Sequence, residues 1–309
     1  MSPKDTIRER VLRGLAANRI PGFHFAGSFL GVSFEDISAS GSRIGLEGGP
    51  HCIEADGQVS LGAVAMIADI ALAVTIRAAL DSDRVRLATV SMHLQFTGAR
   101  MDGPVEGRGA FEGFLAGAAS RQGIARVSVD GNGTLLCYGT GAFMALEPPP
   151  GVTMHPVVLE RHRDEAPLAE KDLTAHEAAI LAHADASLER MGPKLSFVEA
   201  YWGYEPHRTQ TGASCAMKNG AHVGNRVGHA QGGLLVGLAA RTAMAALPAS
   251  WALASATACF VSPGEGDALH ASAKIIHHGR DTAVVRTEVT GREGRKVLQV
   301  MTTHARRSA

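Results

Sequence analysis

The stretch Asn225–Leu247, NRVGHAQGGLLVGLAARTAMAAL, decides how the rest of the chain is read. A polar turn rich in glycine runs directly into an apolar helix with no acid, base or nucleophile along its buried length. A helix N-terminus leaves its first amides unpaired, so Gly232 and Gly233 can bring backbone N–H groups up to something negative. The group that completes the chemistry must come from elsewhere in the chain.

A second stretch has the same form. Glu54, Gly57, Ser60, Gly62 and Asp69 fall opposite Asn225, Gly228, Gln231, Gly233 and Ala240 at one constant offset, without a gap. Ser91 and Phe96 then match Ser255 and Phe260 at a slightly smaller offset, as a shorter loop would give. The apolar helices are expected over Gly62–Leu80 and Gly232–Leu247, each followed by alternating strands that begin at TVSMHLQF and SATACF. Later strand pairs turn at Asp130–Gly133 and at Gly291–Gly294, both rich in the residues that hairpins need. One long internal similarity of this kind indicates a duplicated domain rather than a solenoid.

The dividing point is LEPPPGVTMHPVV (Leu146–Val158), whose consecutive prolines continue neither a helix nor a central strand. The expected units are residues 1–150 and 151–309. Each opens on an amphipathic helix: Ser2–Asn18 in the first, and in the second a segment with Asp172 or Thr174 as N-cap and Gly192-Pro193 as its stop. Each half then places one helix of all-round apolar character beside an antiparallel meander. Such a helix must be surrounded by protein, and a curved sheet wrapped around it meets that need. The class is α+β.

Composition narrows the function. The 309 residues are 45% hydrophobic and 19% charged, enough apolar material for a large core. Lys+Arg and Asp+Glu each total 30, and this balance argues against a dedicated nucleic-acid binder. The longest apolar run, GAVAMIADIALAVTI, is shorter than a membrane span and interrupted by Asp69. The N-terminus lacks the features of a secretion signal. The four cysteines are scattered, without a CxxC pair, as expected of reduced thiols in a cytoplasmic protein. None of the fourteen histidines has metal-ligand spacing, so no metal is expected. His277-His278 reads as part of a solvated hairpin turn.

The spacing N-x-x-G-x-x-[HQ]-G-G-x6-D at the helix start resembles that of the hotdog-fold acyl-CoA thioesterases of the phenylacetyl-CoA type. The whole chain resembles a tandem double hotdog of that family. The resemblance implies a site between two units, one giving the Asn and the first glycine of the turn, the other an Asp from its central helix. Neither half holds the full motif. The second half keeps Asn225, Gly228, Gln231, Gly232 and Gly233 but has Ala240 at the Asp position. The first keeps Asp69, with Glu54, Gly57, Ser60, Leu61 and Gly62 at the others. These losses are complementary: one composite site, Asp69 with Asn225 and Gly232, is intact, and the other, Ala240 with Glu54 and Leu61, is dead.

The chemistry of thioester hydrolysis fits this pairing. Negative charge develops on the carbonyl oxygen, and the Gly232 N–H can receive it. A carboxylate must activate water or attack directly, and Asp69 is the only charged residue between Gly62 and Ile76. Asn225 can bond the carboxylate, the water or the substrate, or simply serve as a turn residue. Gln231 stands where the family has His and, with Gly233, is a substrate-binding candidate. Ser91 matches the Ser or Thr that orients the water in related enzymes. His229 reads as a loop histidine that can stand in for the missing one. Arg86 and Arg241 read as solvated side chains rather than phosphate contacts, and Tyr201, Trp202 and Tyr204 as packing residues.

The expected function is acyl-CoA hydrolysis to free acid and coenzyme A, with no cofactor beyond the coenzyme A of the substrate. The expected partners are that small molecule and a second copy of the chain in a homo-oligomer, with neither nucleic acid nor membrane. The alternatives are a non-catalytic acyl-CoA binding or sensing protein and, at greater remove, a hotdog hydratase or dehydratase.

Overall fold

The computed structural model describes residues 2–20, 24–80, 85–148, 150–155 and 165–308. The first half contains α1 (Pro3–Asn18), α2 (Phe25–Leu30), β1 (Val32–Ile37), β2 (Gly41–Leu46), α3 (Leu61–Leu80), β3 (Arg86–Phe96), β4 (Val105–Phe114), β5 (Gln122–Gly131) and β6 (Thr134–Leu146). The second contains α4 (Ala175–Arg190), α5 (Phe197–Trp202), β7 (His207–Arg208), β8 (Gly212–Lys218), α6 (Gly232–Ala246), β9 (Trp251–Phe260), β10 (Ala268–His278), β11 (Thr282–Thr290) and β12 (Lys296–Arg306). The expected division at 150/151 falls between β6 and α4, and the proline linker lies partly outside the described residues.

Local chemistry sets these boundaries. The Ser2 hydroxyl accepts from the Asp5 amide at 3.2 Å while the Asp5 carboxylate accepts from the Ser2 amide at 2.9 Å, a reciprocal cap for α1. Thr174, rather than Asp172, caps α4 in the same way with Glu177. Between β5 and β6, Asn132 and Gly133 take φ of 49° and 77°, the paired left-handed conformations of a two-residue hairpin turn. The Asp130–Gly133 signal is therefore a true hairpin.

The strands form one twelve-stranded sheet in the order β1-β2-β4-β5-β6-β3-β9-β12-β11-β10-β8-β7, and every pairing is antiparallel. The order reads almost alike from either end, six strands from each half. The seam between halves is β3 against β9, from Ser91↔Cys259 to Gln95↔Ser255. Pairing there removes one open edge from each six-stranded unit.

Helices α3 and α6 lie inside the sheet and cross each other closely. A Cβ on Gly233 would come within 2.4 Å of the Met66 Cα, and one on Gly237 within 2.6 Å of the Gly62 Cα. Any side chain at these points would force the helices apart. Tyr204 wedges beside the crossing and donates its hydroxyl to the Leu234 carbonyl at 2.6 Å. Tyr201, Trp202 and Tyr204 are all buried, as packing residues should be.

The expected helix over Gly62–Leu80 runs unbroken through Asp69, from Leu61 to Leu80. It is long and apolar enough to cross a membrane, with a mean hydropathy of 2.0, and it is the core helix of the first unit, buried along most of its length.

The duplication extends to single hydrogen bonds. Ahead of α3, the Glu54 amide donates to Gln58 O (2.7 Å), Gly57 to Glu54 O (2.9 Å) and Ser60 to Cys52 O (2.8 Å). Ahead of α6, Asn225 donates to His229 O (2.7 Å), Gly228 to Asn225 O (3.0 Å) and Gln231 to Val223 O (2.9 Å). Gly57 and Gly228 share a φ of 81°. The two turns have one backbone and different side chains.

Candidate active site at the helix crossing

Crossing α3 over α6 brings Asp69, in the middle of one helix, to the first turn of the other. Asp69 is only 6% exposed. Its Oδ2 accepts from Gln231 Nε2 at 2.7 Å and its Oδ1 from Thr89 Oγ1 at 3.2 Å. The backbone N–H of Gly233 also donates to this carboxylate. Burial pushes the Asp69 carboxyl up to about 6, and the bonds from Thr89, Gly233 and Gln231 hold it from rising further.

Gln231 performs two tasks with one amide. Its Oε1 accepts from the Leu234 amide at 2.9 Å, capping α6, while its Nε2 reaches Asp69. Histidine is acceptor at one nitrogen and donor at the other when neutral; glutamine offers the same pair without a titratable proton. Gln231 and Asp69 are 162 positions apart in sequence, so this bond ties the two halves together at the site.

Gly232 is the first residue of α6. A Cβ there would lie 3.2 Å from both Asp69 oxygens and 3.3 Å from Thr89 Oγ1. Glycine leaves that space open beside the carboxylate. No acceptor binds the Gly232 amide among the described residues, as expected for the first turn of a helix.

Asn225 lies elsewhere than on the carboxylate. Its Oδ1 accepts from the amides of Val227 (3.0 Å) and His229 (3.1 Å), so it holds its own turn, and its Nδ2 is what it can offer to a ligand. Asn225 nonetheless lines the cavity next to Asp69. His229 also lines it, with Nε2 3.6 Å from Glu265, and burial lowers its pKa.

Ser91 is displaced from the site. A bulge interrupts the β3–β6 register between Thr89 and Ser91. Met92 and Leu94 are buried, so alternation places Ser91 with His93 and Gln95 on the other face. The bulge shifts the phase by one residue and turns Thr89 inward instead. Neither the period nor the residue type signals such a bulge, and Thr89 went unnoticed in the sequence.

The expected assignments of the two arginines also change. Arg241 is paired with Glu54 at 3.0 Å and Glu199 at 2.8 Å, and is far from solvated. Arg86 lines the cavity, with its Nε enclosed. The cavity itself, about 410 Å³, opens beside Asp69 and Gly232 and is walled mainly by apolar side chains from α3, β1, β3 and β6. Among the described residues no cluster of His, Cys, Asp or Glu has the makings of a metal site.

The mirror-related position is closed. Leu61, Ala240 and Leu253 are buried together there, packed by Phe96, Met101 and Met244. Glu54 accepts from the Leu61 amide at 3.2 Å and meets Arg241, with its pKa raised by burial.

Residues 223–305 match the family model described as the acyl-CoA thioesterase N-terminal domain. No curated protein matches the chain in sequence. Among solved structures, a tesB protein of Mycobacterium avium subspecies paratuberculosis is 15% identical, with 89% of this chain and 96% of that one covered at a TM-score of 0.50. A protein of Lactobacillus plantarum, provisionally described as an oleoyl thioesterase, is 13% identical, with 87% and 98% covered at a TM-score of 0.52. The fold is therefore the α+β double hotdog expected from the sequence.

Proposed function

We propose that the chain is an acyl-CoA thioesterase with one composite active site, of the phenylacetyl-CoA type in its motif spacing. The observation that carries the reading is the Asp69 carboxylate, buried against the N-terminus of α6 at the head of an apolar cavity. Asp69 acts as general base. It takes a proton from a water whose oxygen attacks the thioester carbonyl carbon, and the Gly232 N–H stabilises the oxyanion. Collapse of the tetrahedral intermediate expels the thiolate, which recovers the proton from Asp69. A carboxyl raised to about 6 suits this exchange near neutral pH.

Gln231 and Thr89 hold the carboxylate, Gly233 supplies an amide to it, and Asn225 contributes its Nδ2 to the substrate. The reading includes a cytoplasmic location, assembly into a homo-oligomer and no cofactor besides the coenzyme A of the substrate.

A panel of short, aromatic and long acyl-CoAs, with released thiol followed by a thiol reagent, tests it. Wild-type protein should turn over at least one member, and Asp69→Asn should lose roughly 10²- to 10⁴-fold in kcat with its circular dichroism intact. Acyl-CoA that binds tightly and is never hydrolysed would favour the binding-protein reading instead. Single turnover in ¹⁸O-water separates a general base from a nucleophile, since only a nucleophile would leave label in Asp69.

A further inference from the structure

The cavity continues from Asp69 along one face of α3, past Ile70, Ala73 and Val74 to Arg77. That is roughly two helical turns, about 12 Å. Leu87 and Phe143 line the same cavity. The middle of the trough is thus apolar, and its far end is not.

At that far end, β3 begins with Arg86. Its Nε is enclosed and has no hydrogen-bond partner, and among the described residues no carboxylate pairs with its guanidinium. Arg77 beside it donates through Nη1 to the Val85 carbonyl at 2.7 Å. Two further enclosed polar atoms without partners, His24 Nε2 and Ser28 Oγ, belong to residues of the same cavity wall. A guanidinium N–H withdrawn from water without an acceptor is costly, and an occupant bearing an anionic oxygen removes that cost.

Resting on the thioesterase reading, we infer that Arg86 recognises an anionic group of the substrate at the end of the cavity remote from Asp69. Two sources share that chemistry: a carboxylate at the far end of the acyl group, and a phosphate of coenzyme A. Arg86 lies three residues before Thr89 on β3, about 10 Å along the strand. That spacing suits a dicarboxylic acyl group of a few carbons better than a phosphate beyond an extended pantetheine arm.

The test uses adipyl- and hexanoyl-CoA together with the N-acetylcysteamine thioesters of the same two acids, which carry no phosphate. Arg86→Met should lower the adipyl-to-hexanoyl ratio of kcat/KM roughly 10- to 100-fold in both series, and Arg86→Lys should keep most of it. A loss confined to the coenzyme A series and equal for both acyl groups supports the anion role with phosphate as the source. Equal change across all four thioesters, or none, overturns the inference. Should no thioester be hydrolysed, calorimetric binding of adipyl- and hexanoyl-CoA to the wild type and Arg86→Met gives the same ratio. A preference for adipyl-CoA that the variant loses upholds the inference even though the enzymatic reading has failed. Affinity lost equally for both ligands in the variant supports phosphate as the source, and affinities that the variant leaves unchanged, or no binding at all, overturn the inference.

Discussion

The candidate site and its mirror image share a backbone and differ in their side chains. Where one has Asp69, Asn225, Gly232, Gln231 and Thr89, the other has Ala240, Glu54, Leu61, Ser60 and Leu253. Their turns match bond for bond. What separates a cavity with a buried acid from a plug of leucine and methionine is therefore side-chain volume and charge alone. Leu61 fills the space that Gly232 leaves open, and Ala240 removes the carboxylate that would need hydration or partners there. A scaffold can preserve the geometry of an active site in full while offering none of its chemistry.

Moving residues between the two sites breaks or sharpens that comparison. The largest effect should come from Asp69→Ala combined with Ala240→Asp, which should leave no measurable hydrolysis because Leu61 and Leu253 still occupy the space. Turnover in that double variant would show that the mirror site is not closed. Gly232→Leu, which copies Leu61 into the open site, should cost about 10²- to 10³-fold in kcat through loss of carbonyl access to the amide.

A third experiment reads the acid itself. Folding raises the Asp69 carboxyl from 3.8 to about 6, so its ionised form opposes folding. That cost is complete above the folded value, shrinks as pH falls through it, and vanishes below the unfolded one. Asp69→Asn should therefore stabilise the protein at pH 8, by of the order of 2 kcal/mol in denaturant melts, and by much less at pH 3.5. The same group should give kcat/KM an acidic limb, falling about tenfold per unit below about pH 6. The smallest effect belongs to Gln231→Ser, the Ser60 equivalent. Serine still caps α6, but the bond to Asp69 Oδ2 is lost, and the acidic limb should move up by roughly half a unit to one unit.

Much of this is legible in the sequence itself. The gapless match between the halves, the lone acid in an apolar helix and the complementary losses in the two turns are local patterns, and each fixed an element or a pairing. The features that escaped depend on distant partners or on phase. Thr89 replaced Ser91 because one bulge shifted the alternation of β3. Arg241 reads as solvated in the sequence because its partners, Glu54 and Glu199, lie in other elements. Asn225 takes the turn role that the sequence had left open, its Oδ1 accepting from Val227 and His229. Arg86 gives no sign of facing a cavity, since the walls of that cavity come from α2, α3, β1, β3, β6 and the α6 turn together.

The short seam of β3 against β9 joins two units that are covalently one molecule. In a symmetric pair of separate identical chains every substitution appears twice, so an acid lost from one site is lost from both. Joining the units end to end frees each copy to change alone. The arithmetic of the molecule then becomes odd: among the described residues, two hotdog units share the one acid borne on their crossing helices, Asp69, with the cavity beside it. A tight active-site ligand should titrate at one equivalent per chain, half the number of units the sheet would suggest.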